Sequence, residues 1–399
     1  MTVSFIKSSS LNAATSVEAA GAAARTVFPA RDYDLAATLT SGQAFRWQLC
    51  QGWWEGVIGS RWVRLRAEPD LRTGAGAGSE ESPSFPLSTS HPSAACVDVA
   101  ALASTEASTS EARHRPAQPG SARRRPGLRP PSPRHAGRGP LSTRPSPRLA
   151  GRGQGEACGR PSIIIAETAM PTGDWGWLAE YLQVELNLAD VLRSFPDDEP
   201  MRAAVPACRG LRLLRQDPWE CLASFILSST KQIVQIQQIV ARLCEQFGEQ
   251  LVVPQEHQPA YSFPLPDRIA RAGESELRAC KMGFRAPNLR VAARRIAEGE
   301  VDLSRLASLP TAAARAELML LPGVGRKIAD CVLLFAYGFQ DAFPVDVWVL
   351  KALRRLYFSR RRVTPQRLQK FTATHFGPYA GYAQQYLFHY ARVHAKLKA

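Results

Sequence analysis

The hydrophobic period changes twice along this chain, and those changes constrain the fold more than any single motif. Residues 39–47, 52–59 and 61–66 alternate apolar and polar side chains, the period of a half-buried strand, with Gly52 and Gly59 available for turns. All periodicity is lost over 71–160. Ser162-Ile-Ile-Ile-Ala166 then reads as a strand returning to the same sheet. From residue 200 the period becomes helical. Ile233, Ile236, Val240, Leu243, Cys244 and Phe247 share one face of a helix that stops at Gly248. Asp217-Pro-Trp-Glu is a helix start, with Asp as N-cap and Pro in the first turn. Further helices are expected over 274–282, 286–298, 311–321, 326–338, 346–358, 365–376 and 379–396. The expected class is α+β. An N-terminal antiparallel β-sheet domain with few helices (31–70 and 161–199) precedes a mostly α-helical domain (200–399).

Residues 71–160 are rich in Pro, Gly, Ser, Ala and Arg and carry a near-repeat, Ser132-Pro-Arg-His-Ala-Gly-Arg-Gly139 and Ser146-Pro-Arg-Leu-Ala-Gly-Arg-Gly153. Such a composition buries too little apolar surface to offset ordering entropy, so a disordered insertion is expected. The Ala/Ser-rich residues 1–30 are expected to be disordered as well. The formal charge is +15, but residues 111–160 alone hold twelve Arg against two Glu. The total is therefore weak evidence about the folded part, although an arginine arm adding non-specific phosphate affinity is an alternative reading of the insertion. None of the eight cysteines has CxxC spacing and most sit in apolar helical patterns, so free buried thiols are expected. No four-cysteine cluster follows residues 320–348, which argues against an iron–sulfur centre; no metal and no cofactor are expected. Neither a signal peptide nor a membrane span is expected, since no apolar run approaches the roughly 18 residues a span needs.

The densest chemistry lies in Leu320-Leu-Pro-Gly-Val-Gly-Arg-Lys-Ile-Ala-Asp-Cys331 and, further on, Phe343-Pro-Val-Asp-Val-Trp348. Two glycines, Gly323 and Gly325, flank Val324 and let the backbone turn tightly between helices. The N–H groups of such a turn, at a helix N-terminus, suit a phosphodiester. This is a helix–hairpin–helix pattern with its hairpin at 320–331; an ordinary helical hairpin is the plainer alternative. Lys327 falls in the first turn of the following helix, where the helix dipole and Arg326 both oppose protonation and favour a nucleophilic amine. A solvated surface lysine is the plain reading. Asp346 follows a proline and opens the next helix, so it is both a candidate N-cap and a candidate carboxylate partner for Lys327. A helix and return loop separate the two and can bring them to one site.

The string resembles the helix–hairpin–helix, Gly/Pro…Asp superfamily of DNA glycosylases. Within it, the chain is similar to the 8-oxoguanine DNA glycosylase family over about residues 28–70 and 160–396. Three further strings carry the resemblance: Ser41-Gly-Gln-Ala-Phe-Arg-Trp47, Gly210-Leu-Arg-Leu-Leu-Arg-Gln-Asp-Pro-Trp-Glu-Cys-Leu222 and Gly377-Pro-Tyr-Ala-Gly-Tyr-Ala-Gln384. The resemblance implies a bifunctional glycosylase and AP lyase acting on oxidised purines in duplex DNA. It implies that Lys327 attacks C1′ and forms a Schiff base, and that Asp346 assists electrostatically. It implies that the Gly42 carbonyl accepts the N7–H of 8-oxoguanine, and that Cys331, Gln384 and Phe388 line the base pocket. Gly323, Val324 and Gly325 would hold the DNA backbone. Phe284 and Arg285 would fill the space left by the extruded base and read the orphaned cytosine. Plain core roles for Cys331 and Phe388, and a plain turn role for Gly42, stand beside these.

The chain departs from the family pattern in several places. Thr230 and Gln235 occupy a region where the family has asparagines and a cytosine-reading arginine, and Trp348 stands where it has His. The implied partner is double-stranded DNA with a damaged base, bound by a monomer without a membrane, in the cytoplasm or nucleoid of a bacterium or the nucleus of a eukaryote. Two other functions compete: a helix–hairpin–helix glycosylase for alkylated bases or oxidised pyrimidines, and a non-catalytic DNA-binding protein. The lysine argues against excision by aspartate and water alone, and the Lys/Asp pair is unexplained by binding alone.

Overall fold

The computed structural model describes residues 24–69, 162–229, 231–358 and 363–393. The expected insertion at 71–160, residues 1–23 and Thr230 lie outside the described residues. Five strands, β1 (Ala24–Pro29), β2 (Gln48–Cys50), β3 (Trp53–Ile58), β4 (Arg61–Pro69) and β5 (Ser162–Thr168), form one antiparallel sheet in the order β1-β5-β4-β3-β2. The fold class is α+β, as the change of period requires. β4 and β5 pair across the insertion so closely that Pro69 and Ser162, the residues at its two ends, are register partners. Arg64 and Glu167 sit opposite each other in that register and close a 2.6 Å ion pair.

The sheet begins earlier than the composition implies. Residues 24–29, expected to be disordered, form β1 and pair with β5 along their whole length. Ala24, Thr26 and Phe28 alternate inward there, a six-residue signal that the preceding Ala/Ser-rich stretch hides. The alternation at 39–47, read as a strand, is instead the end of helix α1 (Leu35–Thr40) followed by an irregular turn. Asp34 caps α1 by accepting from the Ala37 N–H at 2.8 Å, and Gly42 at φ +83 stops any strand from forming.

Helices α2 (Gly176–Leu182), α3 (Leu188–Arg193) and α4 (Glu199–Ala207) lead into α5 (Pro218–Leu227), α6 (Ile233–Phe247), α7 (Pro266–Arg271), α8 (Glu274–Ala279) and α9 (Ala286–Ala297). The helices α10 (Thr311–Met319), α11 (Arg326–Val332), α12 (Val347–Leu356), α13 (Pro365–His375) and α14 (Ala380–Val393) complete the fold. The expected helix over 326–338 is two segments, α11 and then a π-helical turn at Leu333–Tyr337 ended by Gly338 at φ +75. The sheet, α1 and α2 share one core around Trp47, Leu65, Ile164 and Leu178. A larger core runs through the helices, and it includes Leu188 and Val191 of α3, so α3 belongs with the helical part rather than with the sheet. α5 starts where the sequence predicts: Asp217 accepts from the Glu220 N–H at 2.8 Å, and every residue from Cys221 to Leu227 is buried. Among the described residues no helix is long and apolar enough to cross a membrane.

Two sequence strings 170 residues apart turn out to be one structural unit. The Gln43 side chain is fully buried. It donates to the carbonyls of Thr38 (2.9 Å) and Arg212 (2.8 Å), and accepts from the Leu214 N–H at 2.8 Å. Gln216 returns a bond to the Gln43 carbonyl at 2.8 Å. A buried amide with all its hydrogen bonds made is expensive to disturb, so the irregular turn after α1 is held rigidly on the segment before α5.

Candidate active site

Helices α10 and α11 are joined by the predicted hairpin. Leu321 and Val324 point into the helical core, and the Val324 N–H donates to the Leu321 carbonyl at 3.1 Å. Gly323 adopts φ +79 with the Asn288 side chain 2.8 Å from where a Cβ would stand, while Gly325 is the N-cap of α11 and faces open space. The turn therefore presents backbone from exposed glycines on a buried valine anchor. Asp330, buried in α11, pairs with Arg315 of α10 and lies 3.6 Å from Arg326. Burial raises its carboxyl above the usual range while the two arginines oppose the rise. This carboxylate ties the two hairpin helices together.

Lys327 is the second residue of α11 and is half-buried. Its Nζ lies 4.9 Å from the centre of the Phe225 ring and donates to Ser228 Oγ at 3.4 Å. α5 and Ser228, the residue that caps its C-terminus, thus hold the amine from one side. Asp346 caps α12, accepting from the Val349 N–H at 2.7 Å. Burial pushes its carboxyl upward, opposed by that backbone bond and by the charge of Lys327. The capping role and a charge partnership with Lys327 hold together in one geometry.

Both side chains line one small cavity of about 50 Å³, together with Gly42, Cys331, Gln384, Phe388, Phe225, Phe335, Pro344 and Gln385. Six residues singled out in the sequence, from positions 42 to 388, converge there. Gln384 is 4 % exposed, and its Oε1 has no hydrogen-bond partner among the described residues. A buried acceptor left unpaired is costly and marks a place where a ligand donor is expected. Burial pushes the Cys331 thiol up to about 12, with Lys327 opposing, so it remains a neutral wall of the pocket at neutral pH. Phe388 is half-buried with one side toward the cavity, unlike the fully buried Tyr386 and Leu387 beside it.

The outlying residues behave differently from one another. Phe284 is 62 % exposed. Arg285, expected beside it at the DNA, is 3 % exposed; it folds under the Phe284 ring and donates to the Met282 carbonyl at 3.3 Å. Of the pair, only the phenylalanine projects. Gln235 is turned back on its own helix, accepting from the Gln232 N–H at 3.2 Å. Trp348, 37 % exposed in the first turn of α12, is flanked by Lys351 at 5.5 Å. Ser228, Phe225, Gln385 and Arg392 join the site without having been foreseen, because their approach to it depends on tertiary packing. Of these, Arg392 had a local signal, four residues beyond Phe388 on the same helix.

Comparisons with known proteins identify the relatives of the chain. Residues 171–222 match the N-terminal domain of 8-oxoguanine DNA glycosylase, and residues 223–376 match the HhH-GPD superfamily of base excision DNA repair proteins. A probable N-glycosylase/DNA lyase of Methanothermobacter thermautotrophicus is 31 % identical over 219 residues, which are 50 % of this chain and 69 % of that protein. The N-glycosylase/DNA lyase of Saccharomyces cerevisiae is 32 % identical over 248 residues, 53 % of this chain and 65 % of that one. The solved structure of MBOgg1 in complex with a low-affinity DNA ligand superposes with a TM-score of 0.65 at 25 % identity, covering 92 % of this chain and 95 % of its own. The chain belongs to the 8-oxoguanine DNA glycosylase family of the HhH-GPD base excision repair superfamily.

Proposed function

We propose that this protein is a bifunctional DNA glycosylase and AP lyase that removes oxidised purines, chiefly 8-oxoguanine, from duplex DNA. The observation that carries the reading is the cavity at which Lys327 and Asp346 meet Gly42, Cys331, Gln384 and Phe388. A damaged nucleotide leaves the stack, with Phe284 supporting the vacated position, and its base enters between Phe388 and Cys331. The Gly42 carbonyl accepts the N7–H that guanine lacks, and the Gln384 amide meets the base edge. The Lys327 amine, held by Ser228 and Phe225, forms a bond to C1′ as the bond from C1′ to the base breaks. Asp346 is the anion nearest the positive charge that develops on the sugar, and low local polarity strengthens that attraction. The departing base takes up a proton that the amine gives up; cleavage of the C1′–O4′ bond, with a proton to O4′, then turns the aminal into a Schiff base, loss of a C2′ proton eliminates the 3′ phosphate, and water later releases the lysine. The protein works as a monomer on double-stranded DNA. Gly323 and Gly325 hold a phosphate by their backbone N–H groups.

The test is a comparison of duplexes that differ only in one base: 8-oxoguanine, an alkylated adenine, an oxidised pyrimidine, or guanine. Rapid release of 8-oxoguanine with little release of the others is the expected result. Preference for the alkylated adenine or the pyrimidine would overturn the substrate assignment. Because Arg285 is buried and Gln235 is engaged in a cap, discrimination among bases opposite the lesion is expected to be weak, which the same assay reads with each of the four opposite bases.

A further inference from the structure

The turn that carries Gly42 has most of its carbonyls occupied, and the donors come from outside it. Arg392 Nη2 donates to the Thr40 carbonyl at 2.8 Å, and Gln385 Nε2 to the Ser41 carbonyl at 3.1 Å. Gln216 Nε2 takes the Gln43 carbonyl at 2.8 Å. Among the described residues no donor takes the carbonyl of Gly42. The turn is thus pinned on both sides of one residue whose acceptor is left for a ligand. Two of the pins, Gln385 and Arg392, come from α14, the same helix that carries Gln384 and Phe388.

Arg392 occupies a particular place in this arrangement. Its guanidinium carbon lies 5.5 Å from the centre of the Phe388 ring, and its Nη1 lies 3.6 Å from where a Cβ on Gly42 would stand. It therefore wedges between the turn that reads the base and the ring on which the base stacks. We propose that Arg392 is a positioning residue for base recognition, setting the backbone of residues 40–42 at a fixed separation from the Phe388 face. The spacing between an acceptor and a stacking surface decides whether a purine meets both at once, and a small misplacement of a positioned group is costly. The guanidinium is largely desolvated, which holds it below its usual range while Asp346 opposes the fall. Asp346 is thus the charged group it faces from α12, and removing Arg392 also removes a cation near that carboxylate.

The inference rests on the proposed function, and the test separates the two. Single-turnover release of 8-oxoguanine is measured beside β-elimination at a preformed abasic site, which uses Lys327 but places no base against Phe388. Arg392→Met is expected to slow base release by about tenfold or more while slowing β-elimination by less than about threefold. Arg392→Lys, which keeps the charge and a donor, is expected to recover more than half of the loss in base release. Equal losses in both activities, full activity of Arg392→Met, or an Arg392→Lys variant as slow as Arg392→Met would overturn the inference. If Arg392→Met does not fold, Arg392→Gln replaces it in the same comparison. A wild-type protein that releases no 8-oxoguanine would instead overturn the proposed function.

Discussion

At the scale of single residues, the site combines positions that the fold would not choose for stability alone. Asp346 is the clearest. Its raised carboxyl means that the ionised form is disfavoured by burial in the folded state. The cost is therefore fully present above the folded value, shrinks as pH falls through it, and is gone below the unfolded value near 3.8. Asp346→Asn keeps an N-cap acceptor for Val349 and removes that cost. The variant is expected to melt no lower than wild type at neutral pH, with any advantage disappearing near pH 4, while base release falls by about a hundredfold. Thermal unfolding across pH together with single-turnover kinetics checks both halves, and a less stable but active variant would contradict the account. Gly42 makes the opposite demand. A Cβ there would stand 2.9 Å from Ile233 Cδ1 on a backbone at φ +83, so Gly42→Ala is expected to cost about 1–2 kcal/mol and to lower selectivity for 8-oxoguanine over guanine. Denaturant unfolding and the paired-substrate assay read these effects.

At the scale of elements, the hairpin and its two helices act as a rigid mount for Lys327. The mount depends on Asp330, which the sequence does not single out because its partner Arg315 lies on the previous helix. Asp330→Ala leaves Arg315 largely buried without its carboxylate and is expected to cost about 3 kcal/mol, measurable by denaturant unfolding. A loss well below 1 kcal/mol would show that the pair does not hold the hairpin. The elements differ in how legible they were. α5 and α6 announce themselves through Asp217-Pro and a long one-sided apolar pattern; α5 begins, and α6 ends, where predicted. The turn after α1 does not, because its apolar alternation mimics a strand; what prevents a strand is Gly42 together with the long-range bonds of Gln43. The π-turn after α11 likewise has no local signature, since Leu333 to Tyr337 reads as ordinary helix and its departure is set by packing.

At the scale of the whole molecule, the pairing of Lys327 with Asp346 was legible from its own stretch, but the pocket was not. Gly42 and Phe388 lie more than three hundred residues apart, and only family strings linked them before the fold brought them to one cavity. The described residues that flank the arginine-rich insertion, Pro69 and Ser162, do not line that cavity. The ends of the insertion join these strand neighbours, so a short turn can replace it without changing the register of the sheet. Deleting residues 75–158 is expected to preserve release of 8-oxoguanine from a short duplex. It is also expected to flatten the salt dependence of binding, by about 0.9 in log–log slope for each phosphate that the arginines no longer neutralise. Binding isotherms at several salt concentrations check this, and an inactive deletion variant would place the insertion in the functional machinery.

The most direct measurement of the central claim is borohydride trapping on a duplex carrying 8-oxoguanine. Reduction of the Schiff base converts the transient adduct into a stable enzyme–DNA conjugate. The expected result is a conjugate with the wild-type protein, with the peptide bearing Lys327 carrying the sugar remnant, and none with Lys327→Ala. No conjugate from the wild type, or an equal yield from Lys327→Ala, would contradict it.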